Sequence, residues 1–331
     1  MMLTYQHQKL FNLHLLVICL SLLPLNSNAA ENTKGLEVGI NQKRESVNSS
    51  KAIHQQVKVN KDCADCPEMI FIPEGSFDMG SPSYDAEHNS EEGPLHHVNV
   101  SAFLLGKTHV TRAQFEVFVK ATKYDAGNKC WIFDQTWQER TGVSWRNPGF
   151  DQEDNHPVTC INWYDAKAYA DWLSRKTGKQ YRLPTEPEWE YAAKAGSTSA
   201  RYWGGSPDQA CGHANVGDQK LKSQVYGVTW ETHDCDDGYA YTSPVGSFKP
   251  NAFGLYDMQG NLWQWVSDSW TENYDDAPSD STTLIDKGTY RVLRGGAWSI
   301  GPQNIRSAER IQSEASDRVN SDGFRVARTL P

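Results

Sequence analysis

The sequence predicts an α+β domain poor in regular structure, and three observations carry that prediction. Helix-start signals followed by a one-sided apolar pattern occur three times, all before Gly196. Short apolar runs of strand type lie around them. Beyond Gly196 the helical period vanishes, and Gly, Pro, Asn, Asp and Trp dominate, broken by patches such as Tyr290-Arg291-Val292-Leu293 and Phe324-Arg325-Val326-Ala327. So long an irregular stretch is uncommon in a compact domain. Disulfides, bound cations or stacked aromatics must hold it, and residues suited to each are present.

In chain order, Met69-Ile70-Phe71-Ile72 and His97-Val98-Asn99-Val100 are expected as strands. Thr111 with Gln114 makes a capping box before Phe115, Val117 and Phe118. Asn162 can cap a second helix, whose Ala166, Tyr169, Trp172 and Leu173 share one face and which Gly178 stops. Thr185 with Glu188 makes another capping box, on a helix that carries Trp189 and Tyr191 and ends at Gly196.

Composition narrows the class. The 331 residues hold 32 Lys+Arg against 41 Asp+Glu, a formal charge of −9. Nucleic-acid binders neutralise phosphates with basic patches, so nucleic acid is not an expected partner. With 12 Trp and 14 Tyr the chain is not wholly disordered. No internal apolar run is long enough to span a bilayer. Residues 1–29 read as a secretory signal: Lys9 is the sole formally charged side chain, an apolar stretch covers 15–23, and Ser27-Asn28-Ala29 supplies small residues for cleavage. Ile18 before Cys19 argues against a lipoprotein. Residues 30–62, polar and without an aromatic, read as a disordered spacer. Residues 63–331 remain as one domain, expected in the periplasm or outside the cell. It carries six cysteines, and an even number in an exported chain favours disulfides.

Several strings together resemble the formylglycine-generating-enzyme, or sulfatase-modifying-factor, family. They are Ile72-Pro73-Glu74-Gly75-Ser76-Phe77-Asp78-Met79-Gly80, Val110-Thr111-Arg112-Ala113-Gln114-Phe115 and Arg182-Leu183-Pro184-Thr185-Glu186-Pro187-Glu188-Trp189-Glu190-Tyr191-Ala192. Asn251-Ala252-Phe253-Gly254-Leu255-Tyr256-Asp257-Met258, Gly260-Asn261-Leu262-Trp263-Gln264-Trp265, Arg294-Gly295-Gly296-Ala297-Trp298 and Gly323-Phe324-Arg325 follow in the family's order. The resemblance implies a C-type-lectin-like fold, a single loop-rich domain with few regular elements. The family's prototype oxidises a sulfatase cysteine with a copper(I)-binding cysteine pair, a soft ion on soft ligands. The corresponding positions here are Ile300 and Ile305, no cysteine follows Cys235, and Ala297 replaces the prototype's serine. Copper and the prototype's reaction are therefore not expected. Exported members that complete the pyoverdine chromophore match the layout best.

The resemblance also implies calcium. One set would be Asn215, the carbonyl of Val216, Asp237 and the carbonyl of Tyr239. A second would be Asp257, the carbonyls of Gly260 and Leu262, and Gln264 where the family usually has Glu. Both sets are oxygen-rich, as calcium prefers. The competing reading of Asp234, Asp236 and Asp237 is a solvated acidic loop. Cys63-Ala64-Asp65-Cys66 has redox or zinc spacing, but without a matching second pair a structural disulfide is expected. Cys211 with Cys235 would brace the acidic loop, and Cys130 with Cys160 would close the Trp-rich insert. His88, Glu91, Glu92, His96 and His97 could be drawn as an iron site, yet adjacent histidines in a strand face opposite ways.

Trp263 and Trp298, with Ser299, Asn304, Arg306 and Arg310 nearby, match the prototype's substrate groove or else fill a core. Two functions follow. One is an exported, oxidoreductase-like protein acting on a peptide or peptide-derived small molecule without copper and the cysteine pair. The other is a non-catalytic module that binds a peptide or partner on the same scaffold. Fold alone does not choose between them.

Overall fold

The helices start where their capping signals fall. The computed structural model describes residues 59–284 and 288–331; the signal reading and nearly all of the spacer reading lie outside them. Helix α1 (Arg112–Thr122) opens with the Thr111–Gln114 box, and α2 (Trp163–Thr177) opens with a box in which Asp165 answers Asn162. Helix α3 (Glu186–Lys194) opens with the Thr185–Glu188 box. Gly178 ends α2 in the left-handed conformation; α3 ends one residue earlier than expected, at Ala195. A short α4 (Gln219–Gln224), capped by Asp218, lies in the half where no helix was expected.

The strands are β1 (Val59–Asn60), β2 (Met69–Ile72), β3 (Gly75–Met79), β4 (His96–Val100), β5 (Phe103–Gly106), β6 (Lys129–Asp134) and β7 (Thr136–Thr141). After them come β8 (Tyr181–Arg182), β9 (Trp263–Ser269), β10 (Tyr290–Arg294), β11 (Arg310–Glu314), β12 (Asp322–Gly323) and β13 (Ala327–Thr329). One sheet has the order β1-β2-β5-β13-β8, a second β11-β10-β9-β12, and β3-β4 and β6-β7 are hairpin-like pairs. The folded unit thus begins before Cys63: Val59 pairs with Ile70, and Asp62 accepts hydrogen bonds from Tyr181 and Arg328. The apolar patch 324–327 is mostly not strand. Its Arg325 reaches for carbonyls instead of a neighbouring strand's ladder.

The core is aromatic. On α1 and α2, Phe115, Phe118, Tyr169 and Trp172 form a ring cluster that Phe324 closes. A second cluster joins β2, β4 and β5 to α3 through Ile70, Ile72, Val98, Phe103 and Trp189. Three disulfides, Cys63–Cys66, Cys130–Cys160 and Cys211–Cys235, brace the loops as expected. Among the described residues no helix is long and apolar enough to cross a membrane.

Candidate functional site

The site is built around the turn that follows β10. Gly295, at φ +99°, must be glycine: a Cβ there would lie 2.6 Å from the Met258 carbonyl oxygen. The chain then folds over Asn261, whose carbonyl accepts from Trp298 N at 3.0 Å. Gly217 N donates to the Ile300 carbonyl at 2.9 Å, and the Trp230 indole donates to the Ser299 carbonyl at 2.9 Å. Ile305 is fully buried with Ala210, Ala214 and Val216, and Ile300 packs on the same cluster. The positions that the resemblance assigned to thiols are therefore an aliphatic plug. All six cysteines of the described residues are held in disulfides.

Most of the expected groove side chains are buried. Trp263 is 3% and Trp298 1% exposed, and Ser299 is buried beside them. The Trp298 indole donates to the Asn320 carbonyl. Arg306 donates to both oxygens of Glu92, at 2.6 and 2.7 Å, and also to Glu309. Arg310 is bidentate to Glu186 and lies over the rings of Trp270 and Tyr274. These two arginines are structural, because a buried guanidinium holds its charge only beside carboxylates that answer it. Asn304 is half-buried and donates to Glu309.

The same packing raises several carboxyls. Burial, and then Glu92, push Glu309 up to about 8. Burial and then Asp317 push Asp322 up to about 8, and burial and then Glu186 push Asp268 up to about 7. A raised carboxyl binds its proton more tightly folded than unfolded, so its stabilisation is present at low pH and lost as pH rises through the folded value. Glu92 and Glu186, both lowered, set the acid limit. Stability should be greatest at mildly acid pH and fall as pH rises from the ordinary carboxyl value of about 4 to the folded values of about 7 to 8, by on the order of 1 kcal/mol per pH unit for each such carboxyl within that window. A urea series across that range checks the sign; a rise with pH would contradict it.

What remains partly open near the turn is a ledge of aromatic rings that the sequence did not single out. Phe133 and Trp137, at facing positions of the β6–β7 pair, touch at 5.7 Å, and Phe133 meets Trp230 edge-on at 5.0 Å. Phe150 stacks on Tyr241 at 4.5 Å and 14°, and both press on Trp298. All five outer rings are half-buried. They come from four places in the chain; Cys130–Cys160 ties β6 to the residues before α2, and Trp230 is anchored by its bond to the Ser299 carbonyl.

The first calcium set is gathered. Asp237 accepts from the amides of Val216 and Tyr239, each at 2.8 Å, and Asn215 Oδ1 is buried with no hydrogen-bond partner. Burial pushes the Asp237 carboxyl up to about 7. Asp218, not anticipated, accepts from Asp237 N at 2.6 Å and adds a second carboxylate. A buried, orphaned amide oxygen on the residue before Val216, whose N–H binds Asp237, offers a ligand that suits a hard cation. The second set fits poorly. Gln264 Oε1 already accepts from Trp189 and Arg325, at 2.8 and 2.6 Å, and its amide donates to the carbonyls of Asp257 and Met258. The Leu262 carbonyl accepts from His109, and the Asp257 carboxylate from Gly246 N.

The histidines do not converge. His88 bonds to Ser81, His96 lies against Tyr274, and His97 pairs with Asp78 on the exposed face. Glu92 belongs to Arg306.

A loop-rich α+β domain with its turns on carbonyl-bound arginines, and with an aromatic ledge on its irregular half, is a C-type-lectin-like scaffold. The chain belongs to the formylglycine-generating-enzyme family: residues 55–330 match the "Sulfatase-modifying factor enzyme 1-like domain". It is 34% identical to the formylglycine-generating enzyme of Thermomonospora curvata, over 78% of this chain and 92% of that one. PvdO from Pseudomonas aeruginosa superposes with a TM-score of 0.71 at 37% identity, over 82% of this chain and 98% of that one. Treponema denticola variable protein 1, at 23% identity and a TM-score of 0.59 over 82% and 99% of the two chains, shares the fold.

Proposed function

We propose that this protein is an exported family member that receives a peptide or peptide-derived small molecule on the aromatic ledge beside residues 298–300. Its chemistry, oxidoreductase-like in class, runs without thiolate-bound copper. The observation that carries the reading is the ledge: partly open aromatic faces from four segments meet at the turn where the family's prototype keeps its cysteine pair. Rings held by packing recognise flat or apolar groups at little entropic cost. Export rests on the pattern of residues 1–29 and on three disulfides, which persist in oxidising compartments. We assign calcium to Asn215, Val216, Asp237 and Tyr239, where it would neutralise a buried carboxylate and engage the orphaned amide oxygen.

A second reading, a non-catalytic binding or maturation module, is favoured by the aliphatic plug at Ile300 and Ile305. Deleting the gene in its host and profiling peptide-derived metabolites by mass spectrometry separates the two. The oxidoreductase reading expects a species heavier by H2 to accumulate, cured by the wild-type gene and not by Trp230→Ala. No accumulation, with purified protein still retaining a peptide ligand, supports the module; neither result sinks both. A sulfatase-motif peptide incubated with protein and copper should yield no aldehyde, and its appearance would overturn the copper-free reading.

A further inference from the structure

The candidate calcium set and the ledge are parts of one segment. Asn215 donates its amide nitrogen to the Tyr241 carbonyl, at 2.8 Å, and to Asn261 Oδ1, at 3.3 Å, while its oxygen is buried without a hydrogen-bond partner. The residue after Val216, Gly217, donates to the Ile300 carbonyl and accepts from His233 N at 2.8 Å. A Cβ on Gly217 would lie 2.8 Å from the Ser299 carbonyl, so the loop and the turn are in close contact. Between these anchors the chain carries Trp230, whose indole holds Ser299. Loss of the ion would leave the Asp237 charge with only two backbone amides and the buried Asn215 oxygen with no partner at the root of this segment, which favours local opening.

The corner around Gln264 is different. Arg325, fully buried, donates to the carbonyls of Gly106, Tyr256 and Asp257 as well as to Gln264 Oε1. It brings a guanidinium to the acceptors of that corner.

We infer that calcium held by Asn215, Val216, Asp237 and Tyr239 sets the geometry of the aromatic ledge, whereas the Gln264 corner is held by the chain's own guanidinium and does not answer to calcium. This rests on the calcium assignment and the ledge reading above. The ledge is thereby competent for ligand only when the ion is present, and external calcium becomes its control.

Hydrogen exchange by mass spectrometry on the full protein, in calcium chloride and in EDTA, tests it. In EDTA the Gly217 and His233 amides should exchange about tenfold faster or more, as expected for local opening. Trp230 should become quenchable by acrylamide, read as the difference from Trp230→Phe. Amides over 262–264 should not change, Asn261 being left out because its N–H donates to the Asn215 carbonyl at 2.8 Å, and titration calorimetry should find one calcium per chain. Asp237→Asn should abolish the response; should that variant fail to fold, the wild-type comparison stands by itself. Calcium bound without change at Gly217 and His233 overturns the coupling and leaves the calcium assignment intact. No calcium bound overturns both. A second equivalent that protects 262–264 overturns the role given to Arg325.

Discussion

Replacing Arg306 with alanine is expected to lower the unfolding free energy by about 3–5 kcal/mol at neutral pH, the usual cost of removing one partner from a buried ion pair. Arg306 is 2% exposed and reaches across the fold to Glu92, which is fully buried. Without it Glu92 would keep the neutral donors Ser81 and Asn89, and Glu309 as a further hydrogen-bond partner, for a full negative charge. The loss should shrink in mild acid, because protonating Glu92 removes the uncompensated charge. Urea unfolding at neutral and at mildly acid pH reads both effects. A loss under about 1 kcal/mol at neutral pH, within the range of ordinary substitutions, would show that the pair does not hold the 301–310 segment. The exposed Lys120–Glu116 pair makes the contrast, with an expected change of about 0.5 kcal/mol or less.

The double replacement Cys211→Ser with Cys235→Ser is expected to cost roughly 3–4 kcal/mol, from the chain entropy that a bridge over this separation removes from the unfolded state. The bridge closes a separation of 24 residues and flanks Asp218 and Asp237. Cys63–Cys66, with a separation of three, should cost much less when replaced in the same way. Denaturant midpoints of the two double variants decide the matter. Equal losses would mean that strain or packing, and not loop closure, sets the contribution of these bridges.

The local structure was legible because its signals are local. A capping box needs two residues three apart, and each of the three anticipated ones forms its reciprocal pair of hydrogen bonds. The family strings likewise carried the scaffold, and the departure from it, the lack of any cysteine after Cys235, is read directly from the sequence. Between groove and core the sequence left the choice open, for the opposite reason. Arg306 and Arg310 look like free basic groups when read along the chain, because Glu92 and Glu186 lie more than a hundred residues away. Trp298 could not be told from a surface aromatic until Phe150 and Tyr241 were seen to cover it. Those two rings, with Phe133, Trp137 and Trp230, carry no motif; only the Trp-rich composition of the insert hinted at them.

By itself, then, the sequence determined the scaffold, the helix boundaries and the loss of thiols at positions 300 and 305, since each depends on residue identity or short-range spacing. Only the tertiary structure decided which charged side chains are free, which aromatics remain open and where an ion could sit. Those depend on burial and on partners brought together from distant parts of the chain, which spacing does not encode.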